Sequence, residues 1–368
     1  MGIGIFKTKD PVILKQVYEF RLRIFRDEVK ALFPKAVLAS KELRDEFDEV
    51  AYQYVAMEND KVIGCARAFD LADVPRSEPL LSRYQLDRAM TQFPSNEIAF
   101  TGRLLVASGY RASRTAVKLM SRATADGRRR GVRIAFLDCS PRLLPFYEAF
   151  GFRRYGKPFN DPIYGFKIPL VFLVKDKVTL KACHSPLADG SYEDDKEARD
   201  WYNETSFRQN MNFNRRRSTQ VLSKYLGDNL ARVELFSCFS HPQIDLILRR
   251  ATVIQAYPEQ ILLQNGLRDN VLLVVIEGQL KTEHDVNGRP VECMLNIGQH
   301  AGQLRFCGAT LDVTKLVATR PSTLLVICAE TLQWLAAKHA DIATKISRIL
   351  SESPFCQKTS PYKRHASC

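Results

Sequence analysis

Apolar positions along the first 175 residues alternate between a helical and a strand period. Residues 11–33, PVILKQVYEFRLRIFRDEVKALF, open on a proline and space Val17, Phe20, Ile24 and Phe25 for one face of an amphipathic helix. AYQYVAM (51–57) and VIGCARAF (62–69) are β-rich runs joined by Glu58-Asn59-Asp60-Lys61, which predicts a hairpin. EIAFTGRLLVAS (97–108) predicts a third strand. SRTAVKLMSRATADGRRRG (113–131) predicts a helix with Val117, Met120 and Ala123 or Thr124 inside, stopped at Gly131. RIAFLDCS (133–140) is almost continuously apolar, as at the centre of a sheet. PRLLPFYEAF is a short helix ended by Gly151, and YGFKIPLVFLVKD (164–176) supplies the last strands. This order predicts an α/β sheet domain over residues 1–176.

Residues 177–230 are polar with charges of both signs, and read as a partly helical linker. Its Arg215-Arg216-Arg217 run reads as a solvated face rather than a nucleic-acid contact. From Ala231 two short helical runs, ARVELFSCF and HPQIDLILRRA, precede the strand-like runs ATVIQAY, QILLQ, NVLLVVIEG, QLKTEHD, VECMLNI, KLVATR and STLLVIC. Turn signals at Asn265-Gly266, Asn287-Gly288 and Gly298 separate them, the pattern of a β-barrel or jelly roll. One long amphipathic helix, ETLQWLAAKHADIATKISRIL, closes a second domain at residues 231–352, and 353–368 is a tail.

Composition narrows the class. A chain of 368 residues that is 45% hydrophobic supports two packed cores. It has no run of about 18 apolar residues, so no membrane span is expected. The opening MGIGIFKTKDPV has neither an apolar signal core nor a myristoylation serine, and the expected compartment is the cytoplasm. Nine cysteines without a C-x-x-C pair and six isolated histidines argue against a metal site or a disulfide framework. The net charge of +13 is concentrated: residues 103–157 hold 13 basic and 3 acidic side chains. Such an excess attracts nucleic acid, a phosphate-bearing cofactor or an acidic carrier protein. It follows no aromatic platform or recognition helix, so nucleic acid is not expected.

The segment from Glu97 to Phe152 resembles the core of the GNAT acyltransferase superfamily, through LLVAS, then YRASRTA opening a helix, then RIAFLDCS, then FYEAFGF. The resemblance implies a GNAT α/β fold with a mixed central sheet and flanking helices. It implies that a thioester's pantetheine arm lies where two parallel strands splay, against the backbone of Leu104, Leu105 and Val106. It also implies that Arg111, Ala112, Ser113, Arg114, Thr115 and Ala116 wrap the donor phosphate. Arg114 stands where the family has glycine, and its side chain occupies the place a CoA pyrophosphate approaches. Acyl-ACP is therefore the expected donor, with acyl-CoA second. Arg114 and Arg128, Arg129 and Arg130 are the expected contacts to the acidic carrier.

Arg21 to Phe25 (R-x-x-x-F), Asp45 to Asp48 (D-E-F-D), Arg67 in G-C-A-R and Arg103 in G-R-L are similar to two acyl-ACP-using branches. These are the acyl-homoserine-lactone autoinducer synthases and the long-chain N-acyl amino acid synthases. The resemblance implies that Arg21, Asp45, Asp48, Arg67 and Arg103 cluster at the acceptor entrance, where an arginine and carboxylate mesh positions an amine and its carboxylate. A purely structural ion-pair network is the alternative. Phe100 replaces the glutamate of the E-x-S-R-like motif, which weakens an autoinducer assignment. Tyr147 matches the tyrosine that protonates the leaving thiolate in many GNAT enzymes, and Glu97 and Asp138 are the candidate bases, beside a water chain. The acceptor stays open between a small amine, an amino acid and a peptide lysine. A catalytically inactive sensor or scaffold, regulated by a cyclic nucleotide or another ligand, is the alternative function.

Residues 231–352 resemble a cyclic-nucleotide-binding domain, through LLVVIEGQLKT, IGQHAGQL and KLVATRPSTLLVIC. In the cassette, after Gly302, Gln303 replaces the ribose-binding glutamate and Asp312 the phosphate-binding arginine. A carboxylate there repels a phosphate. A degenerate domain is expected, used for packing, for a homodimer or for another ligand.

Overall fold

Asp10 starts the first helix through its side chain. Its carboxylate accepts from the N–H groups of Val12 and Ile13, Pro11 fills the first turn, and α1 runs Pro11–Ile24. A single π turn, Phe25–Val29, follows and ends at Lys30 in the left-handed region. The hairpin is β2 (Tyr52–Glu58) and β3 (Lys61–Asp70), and Asn59 and Asp60 both take the positive φ that its two-residue turn requires. This computed structural model describes residues 2–204 and 233–353, apart from Leu32, Arg76, Ala112, Gly266, Arg268, Asp269, Asn287 and Gly288. The chain divides into two compact units, residues 1–212 and 213–368.

The sheet of the first unit has the order β1 (Gly4–Thr8), β2, β3, β4 (Ile98–Val106), β5 (Ile134–Cys139), β8 (Gly165–Leu173), β6 (Arg153–Arg154), with β7 (Phe159–Asp161) beside β8. Among the described pairs β4–β5 alone is parallel, so the sheet is mixed. One face carries α1 and α2 (Glu78–Tyr84), and the other carries α3 (Thr115–Arg130). Gly131, at φ 90, closes α3 as expected. Of the residues expected inward on α3, Met120 is buried and Ala123 packs against the core, while Val117 is half-exposed and Leu119 is buried beside them. Gly64 explains the close seat of the helix, because a Cβ there would come within 3.1 Å of both Leu119 Cδ1 and the Leu105 carbonyl. α4 (Leu144–Ala149) follows β5.

Two expectations are corrected here. The polar stretch after Asp176 is no linker over its first part, because α5 (Lys196–Glu204) buries Ala198, Trp201 and Tyr202 in the same core as Phe93, Phe136 and Tyr155. Its average polarity hid one apolar face. Arg133 fastens the segment through paired bonds to Asp195 (2.7 and 2.8 Å) and one to Glu197 (2.7 Å). Arg215 to Arg217 lie outside the described residues. The helix expected to close the second unit is two helices, α7 (Ala329–Lys338) and α8 (Ala340–Glu352), broken where His339 leaves helical geometry.

Among its described residues the second unit, after α6 (His241–Leu248), has nine strands in two antiparallel sheets. One has the order β10 (Ile261–Gln264), β16 (Lys315–Ala318), β12 (Leu280–Val286), β13 (Arg289–Leu295). The other has the order β15 (Ala309–Asp312), β14 (His300–Phe306), β11 (Val271–Glu277), β17 (Ser322–Cys328), β9 (Thr252–Ala256). All of Val271–Ile276 is buried, as its unbroken apolar run requires.

Candidate functional site

Parallel pairing of β4 with β5 runs through Ile98/Ile134, Ala99/Ala135 and Phe100/Phe136 and stops there. Beyond it β4 stays paired to β3, and β5 to β8, through Leu137, Asp138 and Cys139. Two backbone edges therefore diverge, and Leu104, Leu105 and Val106 lie on one of them. A bulge sits in the same stretch: Arg67 is opposite Gly102 but Cys65 is opposite Leu105, so β4 carries one extra residue, and Arg103 takes φ 52. Strict alternation would aim Arg103 away from the face of Phe100. The extra residue brings its guanidinium onto that face.

There the five expected cluster residues meet. Asp48 accepts from Arg21 Nη1 at 2.8 Å and lies 3.0 Å from Arg67 Nη1. Asp45 accepts from Arg67 Nη1 at 2.5 Å and from Arg103 Nη2 at 2.9 Å. The short helical turn Glu46–Asp48 is capped by Asp45, and Asp48 accepts from the Asp45 N–H in return, which sets both carboxylates on one side. Two members were not foreseen. Gln53 bridges Arg21 (2.5 Å) and Asp48 (2.8 Å), and Tyr164 accepts from Arg103 Nη1 at 2.7 Å. Gln53 had a signal, an amide at an inward strand position, whereas Tyr164 comes from the β7–β8 turn and had none.

The cluster is graded in depth. The Arg21 and Asp48 side chains are 0% and 3% exposed, while Arg103 and Asp45 retain 17% and 24% at the rim. Burial opposes ionisation of Asp48, but Arg21 and Arg67 outweigh it and hold its pKa down to about 2. Asp45 is lowered in the same way, by Arg67 and Arg103 against its burial. Burial raises the Tyr164 phenol although Arg103 pulls the other way, so it stays neutral. Three guanidiniums face two carboxylates, which leaves one positive charge over at the rim. The rings of Phe25 and Tyr164 flank Arg103 at 5.5 and 5.1 Å.

The proton-transfer candidates fall out differently. Tyr147 is buried beside the end of β5, with its ring against Phe146 and Phe152. Burial, with Cys139 and Asp138 nearby, pushes its phenol up, so it carries a proton to give. The Asp138 carboxylate accepts from the Tyr84 hydroxyl at 2.6 Å, a partner not foreseen. Glu97 is corrected: it lies about 26 Å down β4 from Leu105 at roughly 3.3 Å per residue, in an ion pair with Arg133. Phe100 stacks on Phe69 (5.1 Å), so apolar packing fills the position of the absent glutamate.

In the expected donor loop Arg111 donates to the Val106 carbonyl (3.1 Å) and pairs with Glu28. The Ser113 hydroxyl accepts from the Thr115 N–H (3.2 Å) at the start of α3, and Thr115 is buried. Ala112 lies outside the described residues, and Ala116 packs toward the sheet. The expected carrier contacts at Arg128 and Arg130 are corrected, whereas the Arg129 side chain stays 62% exposed. Arg128 holds the carbonyls of Val174, Leu187 and Asp189, and Arg130 makes a two-pronged bond to Asp70 (both 3.0 Å) and one to Asp126. Arg129 pairs with Asp126. Arg114, Lys118 and Arg122 instead form an exposed stripe at i, i+4, i+8 beside the loop, with no ion pair to a carboxylate among the described residues.

A narrow apolar crevice of about 40 Å³ runs between α3 and the sheet, bordered by Ala68, Ala99, Thr101, Ala123, Gly127 and Ala135. Among the described residues no group of three or more His, Cys, Asp or Glu side chains could hold a metal ion. No helix among them is long and apolar enough to cross a membrane.

In the second unit the presumed phosphate cassette is a regular hairpin, β14–β15. Gly302 pairs with Leu272, and a Cβ on it would sit 2.5 Å from the Val271 carbonyl, so this glycine serves strand packing. Gln303 is buried and donates to the carbonyls of Val313 (2.9 Å) and Gln264 (3.3 Å). Backbone Asp312 pairs with Gln303, and its side chain lies outside the described residues.

Residues 20–121 match the family model of the acetyltransferase (GNAT) domain, and the first unit carries that domain. Solved structures similar to the chain include the acyl-homoserine lactone synthase LasI, 14% identical, with a TM-score of 0.39 over 53% of this chain and 98% of that one. FeeM, an N-acyl amino acid synthase from uncultured soil microbes, is 12% identical, with a TM-score of 0.39 over 47% and 91%. BjaI, a CoA-dependent acyl-homoserine lactone synthase, is 17% identical, with a TM-score of 0.39 over 55% and 100%. No curated protein matches the chain in sequence.

Proposed function

We propose that the chain is an N-acyltransferase that moves an acyl group from a thioester, an acyl carrier protein before CoA, to the amine of a small carboxylate-bearing acceptor such as an amino acid. The observation that carries this reading is the Arg21, Asp45, Asp48, Arg67 and Arg103 cluster beside the diverging β4 and β5 edges of a GNAT domain. Its surplus positive charge lies at the rim, on Arg103, where an acceptor's carboxylate takes a charge-assisted bond. The neutral amine then attacks the thioester carbonyl held along Leu104–Val106. A C–N bond forms, the C–S bond breaks, and Tyr147 gives its proton to the leaving thiolate. The amine's proton passes to Asp138 or to water.

The Arg114, Lys118 and Arg122 stripe is the surface we assign to the acidic carrier. The crevice under α3 is the path we assign to the acyl chain; at about 40 Å³ it must widen between helix and sheet to admit a long one, which its small side chains favour. We read the second unit as a cyclic-nucleotide-binding-like roll without its ligand chemistry, because its cassette backbone is spent on strand pairing. The test is thiol release from long-chain acyl-ACP by the purified chain. Release that requires an added amino acid supports the reading, and release indifferent to amines or absent throughout refutes it.

A further inference from the structure

The second unit contains a cavity of about 470 Å³, in the range of small-molecule sites. It is lined from three directions: Glu234 and Ser237 before α6, Cys293 to Leu295 on β13, and Ile349 and Glu352 at the end of α8. His300 lines it too, at the first position of β14. The residue is 6% exposed, and neither ring nitrogen has a hydrogen-bond partner among the described residues. A buried imidazole left unpaired on both nitrogens costs roughly 1–3 kcal/mol per group, which favours a partner supplied from outside the chain.

We infer that this cavity binds a small organic ammonium ion, a mono- or polyamine, with His300 on its wall and Glu234 and Glu352 at its mouth. The charge of the lining selects the sign. Among the described residues two carboxylates and no lysine or arginine border the cavity, which favours a cation over the phosphate of a nucleotide. Burial also lowers the His300 pKa, against the pull of Glu234, so the imidazole adds no positive charge at neutral pH. A metal ion does not fit, because among the described residues no three His, Cys, Asp or Glu side chains come together. Met294, Leu295 and Ile349 supply apolar walls, which suit the methylene chain of an amine. A neutral imidazole offers one donor and one acceptor. An ammonium N–H satisfies the acceptor.

The test is calorimetry on the full chain with putrescine, spermidine, cAMP and acetate as probes. Binding of either amine, weakened on the order of tenfold in an E234Q/E352Q variant and by added salt, is the expected result. His300→Gln, which keeps a donor and an acceptor, should weaken it less than the double charge removal. Absence of amine binding to a folded chain at millimolar concentration overturns the inference. So does amine binding unchanged in the double variant, or cAMP binding tighter than either amine. The readout is affinity rather than turnover, so it stands apart from the acyl-transfer reading.

Discussion

Replacing Asp48 with asparagine removes one charge and leaves the shape of the cluster. The Asp48 side chain, 3% exposed, holds Arg21 at 2.8 Å, Arg67 at 3.0 Å and the Gln53 amide at 2.8 Å, and it accepts the Asp45 N–H at 3.0 Å. Arg21 is fully buried, so the substitution strands a guanidinium without its counter-charge. Breaking such a pair costs about 3–5 kcal/mol. For a unit of this size each kcal/mol lowers Tm by roughly 2–4 °C, so a fall of roughly 6–20 °C is expected at pH 7. The acid profile gives a second reading. The folded pKa of Asp48 is depressed, from the ordinary 3.8 to about 2. Its stabilisation is present above the unfolded value and is lost as pH falls from about 4 toward 2. The amount is about 2 kcal/mol. Far-UV circular dichroism melts at pH 7, 4, 3 and 2 should show that loss in the parent chain and a flatter profile in the variant. A Tm drop under about 2 °C at pH 7, with an unchanged acid profile, refutes the reasoning.

Tyr147→Phe should lower kcat on the order of 100-fold at similar KM in single-turnover assays, and a wild-type kcat would make the residue packing only. Charge reversal at Lys118 and Arg122 should raise KM for acyl-ACP, most at low salt, while leaving acyl-CoA turnover alone; Arg128→Glu should instead lower Tm. A KM insensitive to the stripe contradicts that assignment. Gly127→Ala puts a Cβ 3.8 Å from Val132, an ordinary contact inside a helix. Calorimetry should find about 0.5–1 kcal/mol of added stability, and product profiles should shift to shorter acyl chains because the methyl enters the crevice. A lower Tm, or no shift in chain length, counts against it.

The sequence was readable where a residue's local chemistry also decides its tertiary place. Asn59-Asp60 closes the β2–β3 hairpin and Gly131 ends α3, because backbone geometry admits little else. The arginines and carboxylates of the cluster were nameable from motif resemblance, but their meeting depends on the Arg103 bulge, which no periodicity reveals. Net charge does not distinguish solvated guanidiniums from those that, like Arg128 and Arg130, clamp carbonyls and carboxylates. Trp201 and Tyr202 were lost in a polar average, although two adjacent aromatics on a charged helix point to a buried face. The β14–β15 hairpin was obscured by the cassette resemblance, which drew attention to Gly302 as a phosphate residue when strand packing requires it.

The most direct test of the central claim compares an amino acid with the amine that lacks its carboxylate, as acceptors for long-chain acyl-ACP, in the parent chain and in Arg103→Met. The account predicts that removing the carboxylate lowers kcat/KM on the order of 100-fold in the parent, the scale of one charge-assisted bond, and changes little in the variant. Equal turnover of the two acceptors by the parent chain, or a preference that survives in Arg103→Met, would contradict it.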